Sequence, residues 1–362
     1  MKVLVVANMF PSKKFPTYGT FIRNFCNQLD KIDIHHDKVV MYKQTNLIRK
    51  VLGYISFYFN SFFRTLLGNY DVIYIHYPSY SALAVLLANG FRKKSLYINV
   101  HGSDVFPTNK KQEKLEKNTR KAINQADKVI VPSEYFRRAV TEKYMYPREK
   151  IYVYPSGGVD FSVFHPFDNE TIQSSRKKAG LDSNKITVGY ISRLYRLKGW
   201  DTFVNAVEKL TDYYDKVQFI IVGSGPDEDD LVKMLEEKQL TNVVHRFPAQ
   251  PQRELANYYN MLDVFVFAAA AAAESLGLVA LEAMACGVPV FASDYAAPKY
   301  YVENGKNGYK FPLGDYEQLA VLIEKYINSS DQDRGLLKIG ALSVAEQYNS
   351  EASEKILKGL MI

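Results

Sequence analysis

Short apolar runs recur along this chain at a spacing that suits neither a helical bundle nor a set of hairpins. Six fall in the first half, at 2–7, 38–42, 71–76, 95–100, 128–132 and 151–154. Six more fall in the second, at 186–191, 217–222, 243–247, 264–267, 289–292 and 308–311. Helical stretches separate them. Runs apolar on both faces, joined by helices, are what a parallel sheet needs, because the crossover helices cover both of its sides. The pattern therefore predicts an α/β fold. A length of 362 residues is long for one core and ample for two. The segment Tyr154-Pro-Ser-Gly-Gly-Val-Asp-Phe-Ser-Val-Phe-His-Pro166 has turn residues at both ends and no regular period. It reads as the close of a first domain and a linker, giving domains at 1–165 and 166–340.

Bulk composition narrows the setting. Hydrophobic and charged fractions of 47% and 23% are those of an ordinary globular protein, though 27 Tyr and 21 Phe are many. Met1-Lys-Val-Leu-Val-Val-Ala-Asn8 is too short an apolar run for a secretion signal and reads as a strand. No apolar stretch approaches the ~18 residues needed to span a bilayer, so the expected setting is cytoplasmic, or at most peripheral on a membrane surface. Cys26 and Cys286 lie far apart in apolar surroundings, the usual state of free thiols in a reducing compartment. The net charge of +7 is unevenly spread. Residues 1–165 carry 25 Lys and Arg against 12 Asp and Glu, and the remainder carries 21 against 27. A basic first half suits an anionic membrane or an anionic acceptor. It arrives without a nucleic-acid motif.

Several segments carry chemistry. Glu274-Ser-Leu-Gly-Leu-Val-Ala-Leu-Glu282 sets two carboxylates across a loop running into a helix that starts near Leu278 and stops at Gly287-Val-Pro289. The backbone N–H groups of Gly277, Leu278 and Val279 would be free at that helix start, where a phosphate binds readily. Two hydroxyl acceptors beside a phosphate cradle describe a nucleotide-sugar site. Ile186-Thr-Val-Gly-Tyr-Ile-Ser-Arg-Leu-Tyr-Arg-Leu-Lys-Gly199 reads as strand, basic loop and helix start. Its Arg193 and Lys198 can neutralise a departing diphosphate, with Arg196 as a less certain third cation. Asn99-Val-His-Gly-Ser-Asp104 ends a strand, where open α/β sheets bind ligands. His101 is the stronger candidate there, and Asp104 either orients an acceptor or caps the following turn.

Other features exclude alternatives. Neither the loop Phe10-Pro-Ser-Lys-Lys-Phe-Pro-Thr-Tyr-Gly-Thr-Phe21 nor Gly223-Ser-Gly-Pro226 is a Gly-x-Gly-x-x-Gly fingerprint, which argues against a dinucleotide-dependent dehydrogenase. Asp227-Glu-Asp-Asp230 reads as the acidic start of a helix rather than a metal site, and no metal is expected. Leu47 to Leu67 is apolar nearly all round with basic residues interspersed. It fits a buried helix covering the sheet as well as a surface helix dipping into a lipid interface.

These parts, in this order, resemble the family 4 retaining glycosyltransferases. The resemblance covers nearly the whole chain: the Glu-x7-Glu pair, the Arg-Leu-x3-Lys-Gly motif, the His-Gly-x-Asp segment and the interdomain Gly-Val-Asp-x3-Phe, with Gly157 where Asn is usual. It implies a GT-B fold, two Rossmann-like domains facing across a nucleotide-sugar cleft, with the terminal stretch 341–362 crossing back to the first. It further implies that Glu282 takes the ribose hydroxyls, Glu274 the hydroxyls of the transferred sugar, and His101 the sugar with its carbonyl toward the anomeric carbon. The loop through Tyr18 and Gly19 would approach the diphosphate and acceptor. Gly223 would lie at the turn after the second strand of the nucleotide domain, and Arg246 beside the base. The reaction implied is metal-independent transfer of a hexosyl unit, with retention, from a nucleoside diphosphate-sugar, UDP-sugar by default. Its acceptor would be a hydroxyl of a glycan or lipid-linked acceptor in bacterial surface polysaccharide synthesis. A catalytically silent nucleotide-binding partner protein and a non-hydrolysing nucleotide-sugar epimerase are the alternatives. One segment departs from the family: Ala268 to Ala273 is a run of six alanines where polar residues are usual.

Overall fold

The computed structural model describes residues 1–16 and 18–362, leaving Thr17 of the loop after the first strand outside the described residues. It divides into two compact units, Met1–Gly157 with Glu351–Ile362, and Gly158–Ser350. The first unit runs β1 (Lys2–Phe10), α1 (Thr20–Lys31), β2 (His35–Tyr42), α2 (Leu47–Leu67), β3 (Val72–His76), α3 (Pro78–Arg92), β4 (Ser95–Asn99), α4 (Gly102–Val105), α5 (Lys110–Asn124), β5 (Lys128–Val131), α6 (Glu134–Tyr144) and β6 (Ile151–Val153). The second runs α7 (Asn169–Lys178), β7 (Ile186–Ile191), α8 (Trp200–Glu208), β8 (Val217–Val222), α9 (Glu228–Glu237), β9 (Val244–Phe247), α10 (Gln252–Asn260), β10 (Val264–Phe267), α11 (Leu278–Ala285), β11 (Val290–Ser293), β12 (Gly308–Phe311), α12 (Tyr316–Ile327) and α13 (Asp331–Gln347). The last helix, α14 (Ser350–Met361), belongs almost wholly to the first unit.

All strand pairs are parallel, in the orders β2-β1-β3-β4-β5-β6 and β12-β11-β10-β7-β8-β9. The central strands explain why the sequence showed unbroken apolar runs rather than alternation. Val3 to Ala7 are fully buried, as are the alternate faces of β8, because helices cover both sides of each sheet. In the first unit one side packs Leu4, Val6, Ile73, Ile75 and Ile98 under the α2, α3 and α6 side chains. The other side packs Val3, Val5, Tyr74 and Phe25 against Leu357, Leu360 and Met361 of α14. In the second unit Trp200 and Phe203 of α8 sit in a core with Tyr190, Phe219 and Val266. Both cysteines are buried free thiols.

The units divide at Gly157, not after residue 165, because Val159 is tied to the far end of the second unit: its N–H donates to Tyr348 O at 2.8 Å, and Ser350 N–H donates to its carbonyl at 2.9 Å. The stretch 341–362 spans parts of two helices. It is the end of α13 and the whole of α14, broken at Tyr348-Asn349. Finally, α2 turns its apolar side outward. Only Phe57, Ser61 and Thr65 of its 21 residues are buried, so it is not a helix whose greasy face covers the sheet.

Candidate active site

Open α/β sheets bind ligands beyond the carboxyl ends of their strands, where the strand order reverses. In the second unit that reversal falls between β7 and β10. Lys198 follows β7 and Glu274 follows β10, and the two meet in an ion pair, with side chains 21% and 16% exposed. Backbone contact holds the loops together. Ala270 N–H donates to Leu197 O at 2.9 Å, and Tyr190 Oη–H donates to Lys198 O at 2.9 Å. Gly199 has φ 77°, and a Cβ there would come within 2.0 Å of Ala268 O. Only glycine allows this approach. The six-alanine run thus has a packing role at its first residues that small side chains satisfy. Arg193 is exposed and has no hydrogen-bond or ion-pair partner among the described residues.

Helix α11 begins at Leu278, with Gly277 left-handed at its N-cap. The N–H groups of Gly277, Leu278 and Val279 find no acceptor among the described residues, whereas Ala280 N–H already returns to Gly277 O at 2.9 Å. Tyr301 Oη–H donates to Leu276 O at 3.1 Å and stands where a Cβ on Gly277 would fall, fixing the loop that carries Glu274. Glu282, one turn in, is 4% exposed. Its carboxylate accepts from Gln252 Nε2 at 2.8 Å and Tyr259 Oη at 3.2 Å, and burial pushes it up to about 7 against those two bonds. A ligand hydroxyl reaching Glu282 therefore exchanges with Gln252 or adds to it. Gln252 and Tyr259 lie on α10, and nothing in the local sequence pattern singles them out.

The remaining predicted residues of this unit lie at the turn after β8 and on β9. Gly223 and Gly225 lie on the backbone of the β7 loop: added Cβ atoms would stand 1.9 Å from Ser192 O and 2.1 Å from Leu194 O. The turn after β8 thereby braces the segment carrying Arg193. Arg246 on β9 is exposed and pairs with Glu228 at 3.2 Å. The acidic run does start α9, yet Asp227 makes no capping bond; its carboxylate accepts from Trp200 Nε1 at 3.2 Å.

In the first unit the strand order reverses between β1 and β3. Gly19, after β1, is left-handed at φ 79° and opens α1 against the Met9 backbone. Tyr18 beside it is half-buried, its ring 5.9 Å from Lys43 Nζ, and burial with Tyr54 and Tyr80 nearby raises its phenol. His101, after β4, is buried and meets His76, the last residue of β3, through Nε2 to Nδ1 at 3.2 Å. Burial holds His101 down at about 3 and His76 well below the ordinary imidazole range, His76 also because of His101. Both rings are neutral at physiological pH, so either facing nitrogen can donate to the other, the tautomer setting which. Asp104 has no exposed surface and accepts from His101 N–H at 2.9 Å, Ser79 N–H at 3.1 Å and the Ser79 hydroxyl. Its carboxylate ties the start of α3 to the His101 turn, a capping position. Burial pushes it up to about 7 despite those bonds. The sequence reading missed His76 and Ser79. His76 sits at a strand end paired with Asn99, two residues before His101, and that register is the signal that could have found it.

Two parallel six-stranded α/β units, with the chain's tail returning to the first, define the GT-B class. HepE of Anabaena, solved in complex with UDP, has this fold, with a TM-score of 0.76 at 20% identity over 100% of this chain and 99% of that one. Sequence carries the assignment further. Residues 3–161 match the model described as Glycosyltransferase Family 4, and residues 171–340 match that described as Glycosyl transferases group 1. The chain belongs to glycosyltransferase family 4. It is 30% identical over 245 residues to the D-inositol 3-phosphate glycosyltransferase of Corynebacterium jeikeium, covering 66% of this chain and 58% of that one. It is 27% identical over 310 residues to the alpha-monoglucosyldiacylglycerol synthase of Acholeplasma laidlawii, covering 81% and 75%. With 58% and 38% of the first two relatives matched, the chain spans about half the length of the curated relatives it matches.

Proposed function

We propose that the protein is a retaining glycosyltransferase, moving a hexosyl unit from a nucleoside diphosphate-sugar, UDP-sugar by default, to a hydroxyl of a glycan or lipid-linked acceptor. The observation that carries this reading is the Lys198–Glu274 pair at the β7/β10 reversal, beside unclaimed N–H groups of α11 and the unpaired Arg193. An ion pair poised there is a pair of sites waiting for other partners. A diphosphate competes for Lys198, while sugar hydroxyls compete for Glu274. Departure of the nucleoside diphosphate builds negative charge on its terminal phosphate. Lys198, Arg193 and the α11 amides would stabilise that charge as it forms, which lowers the barrier.

Glu282 is assigned to the ribose and Arg246 to the neighbourhood of the base. His101 is assigned to the transferred sugar as a neutral hydrogen-bonding group, since burial keeps it unprotonated. Retention needs no protein nucleophile on this reading. The acceptor hydroxyl attacks the anomeric carbon on the face the phosphate leaves, the carbon–phosphate oxygen bond breaks, and the hydroxyl proton passes to the departing phosphate. The cationic groups supply what a metal–diphosphate complex would otherwise supply, so turnover is expected to survive chelation by EDTA. By their names, one relative is a glycosyltransferase of D-inositol 3-phosphate and the other makes alpha-monoglucosyldiacylglycerol. They support a place in bacterial surface glycan or lipid-linked glycan synthesis, in the cytoplasm or at the inner face of the membrane.

Titration with a panel of nucleoside diphosphates, followed by NMR of the anomeric configuration of the product, tests the reading. Failure to bind any of them would remove it, and an inverted product would remove retention. The alanine run favours one rival, a catalytically silent nucleotide-binding protein. Binding without turnover on a mixed donor and acceptor panel would establish that rival.

A further inference from the structure

Helix α2 is built inside out. Ile48, Leu52, Ile55 and Phe59 stand at i, i+4, i+7 and i+11, one face of the helix, and are 58% to 70% exposed. The opposite side, facing the sheet, buries Phe57, Ser61 and Thr65, two of them hydroxyl residues. A soluble helix normally does the reverse, and an exposed apolar patch of this kind marks a binding surface. Helix α3 runs alongside in the same direction: Tyr58 Oη–H donates to Tyr80 O at 2.9 Å, and Arg92 Nε–H donates to Leu66 O at 2.6 Å. It adds Leu83, Leu87 and Phe91, which are 44%, 60% and 78% exposed. Two adjacent helices thus present large apolar side chains to water.

Charge selects among occupants. From Lys38 to Tyr70 there is no Asp or Glu, and from Val72 to Ser103 there is none either. Over the same span Lys43 precedes α2 and Arg49, Lys50 and Arg64 lie on it, while Arg92 ends α3 and Lys93 follows it. The next face of α2, through Gly53, Ser56, Asn60 and Arg64, lines a recess of about 440 Å³ against β2 and Lys38, again without a carboxylate. A second copy docking on this face would bring two cationic rims together. A bilayer with anionic headgroups meets apolar side chains with acyl chains and the cations with phosphates. No described helix is long and apolar enough to cross a membrane, so the helix would lie along the interface.

We infer that the α2–α3 face is a docking surface for an anionic lipid bilayer, with Ile48, Leu52, Ile55 and Phe59 in the acyl boundary and the flanking cations at headgroup depth. This deepens the glycosyl-transfer reading by naming the surface on which a lipid-linked acceptor would be met, but it rests on unit 1 alone. The test is flotation of the full chain with vesicles of phosphatidylcholine alone or with 30% phosphatidylglycerol, alongside calorimetric titration with UDP. Partitioning onto the anionic vesicles is expected, falling severalfold as salt rises from 0.1 to 0.5 M, since exposed charges are screened within ~10 Å at 0.1 M. The combined variant Ile48→Ser, Leu52→Ser, Ile55→Ser, Phe59→Ser should lose at least a hundredfold, at roughly tenfold or more per side chain withdrawn from lipid. Arg49→Glu with Lys50→Glu should lose at least tenfold and abolish the preference for phosphatidylglycerol, at about fivefold per cation removed. Circular dichroism and UDP affinity should be unchanged in both.

Parent protein that stays off the anionic vesicles overturns the inference, as does serine-variant binding equal to the parent's. So does a parent dimer that the serine variant dissolves while neither floats, since the face would then join two copies. Loss of UDP binding in the parent would instead strike the glycosyl-transfer reading and leave the vesicle result standing.

Discussion

The two strand-order reversals of this molecule are furnished in opposite ways. At β7/β10 the side chains are charged and partly exposed: Lys198 pairs with Glu274, and Arg193 has no partner among the described residues. At β1/β3 and the adjoining end of β4 they are buried and mutually bonded: His76 with His101, and Asp104 with Ser79 and the His101 backbone. The second unit holds charge in reserve at its reversal. The first unit holds a fixed, desolvated shape at its own. Charge is useful where charge develops, and a leaving diphosphate develops it. A neutral, desolvated histidine gives a hydroxyl group direction without inviting a competing anion.

The comparison can be broken from either side. Lys198→Ala should have the largest effect, lowering turnover by roughly 10²–10³ as expected for one lost stabiliser of a developing charge; steady-state rates under saturating donor would show it. Near-normal turnover would mean the β7/β10 charges are structural. Glu282→Ala should weaken UDP binding by roughly 10- to 100-fold, the range for hydrogen bonds to a charged group, measured by calorimetry.

Asp104→Ala should leave UDP affinity alone and cost about 1–3 kcal/mol of stability, because it strands the Ser79 and His101 donors in the interior. A denaturant midpoint would report it. Burial holds Asp104 up at about 7, so the folded chain keeps a proton that the unfolded chain releases. Its share of stability therefore falls as pH rises from about 4 toward 7, and the alanine variant should lack that decline. The smallest effect sharpens the contrast. Glu282 also sits near 7, and ribose hydroxyls bond best to its ionised form. UDP affinity should rise by up to about tenfold between pH 6 and 8, and Glu282→Gln should flatten the profile. His101, held near 3, should contribute no inflection in that range.

Much of this was legible in the chain before any coordinates. Strands such as Val217–Val222 announce themselves because burial on both faces leaves no polar position to confuse the reading. Lys198 and Glu274 were findable because loops after strand ends carry the chemistry and the Lys-Gly step needs its glycine. What escaped depends on partners distant in sequence. Gln252 and Tyr259 matter only because α10 packs beside α11, and Ser79 only because α3 starts next to the His101 turn. The break between α13 and α14 has no proline or glycine to mark it. It is fixed by the bonds from Val159 and Ser350. The orientation of α2 was also ambiguous, since a segment apolar nearly all round does not declare which side faces the sheet.

The return of α14 to the first unit sets an order of events during synthesis. Leu357, Leu360 and Met361 complete a core whose other members, among them Val3, Phe25 and Tyr74, leave the ribosome at the outset. The whole of Gly158–Ser350 must be made in between. At ~5–20 residues per second that is a delay on the order of 10–40 s, during which the first unit's sheet has α1 but not α14 on one flank. A nascent chain of this protein is thus open to chaperones on that flank until α14 has been made.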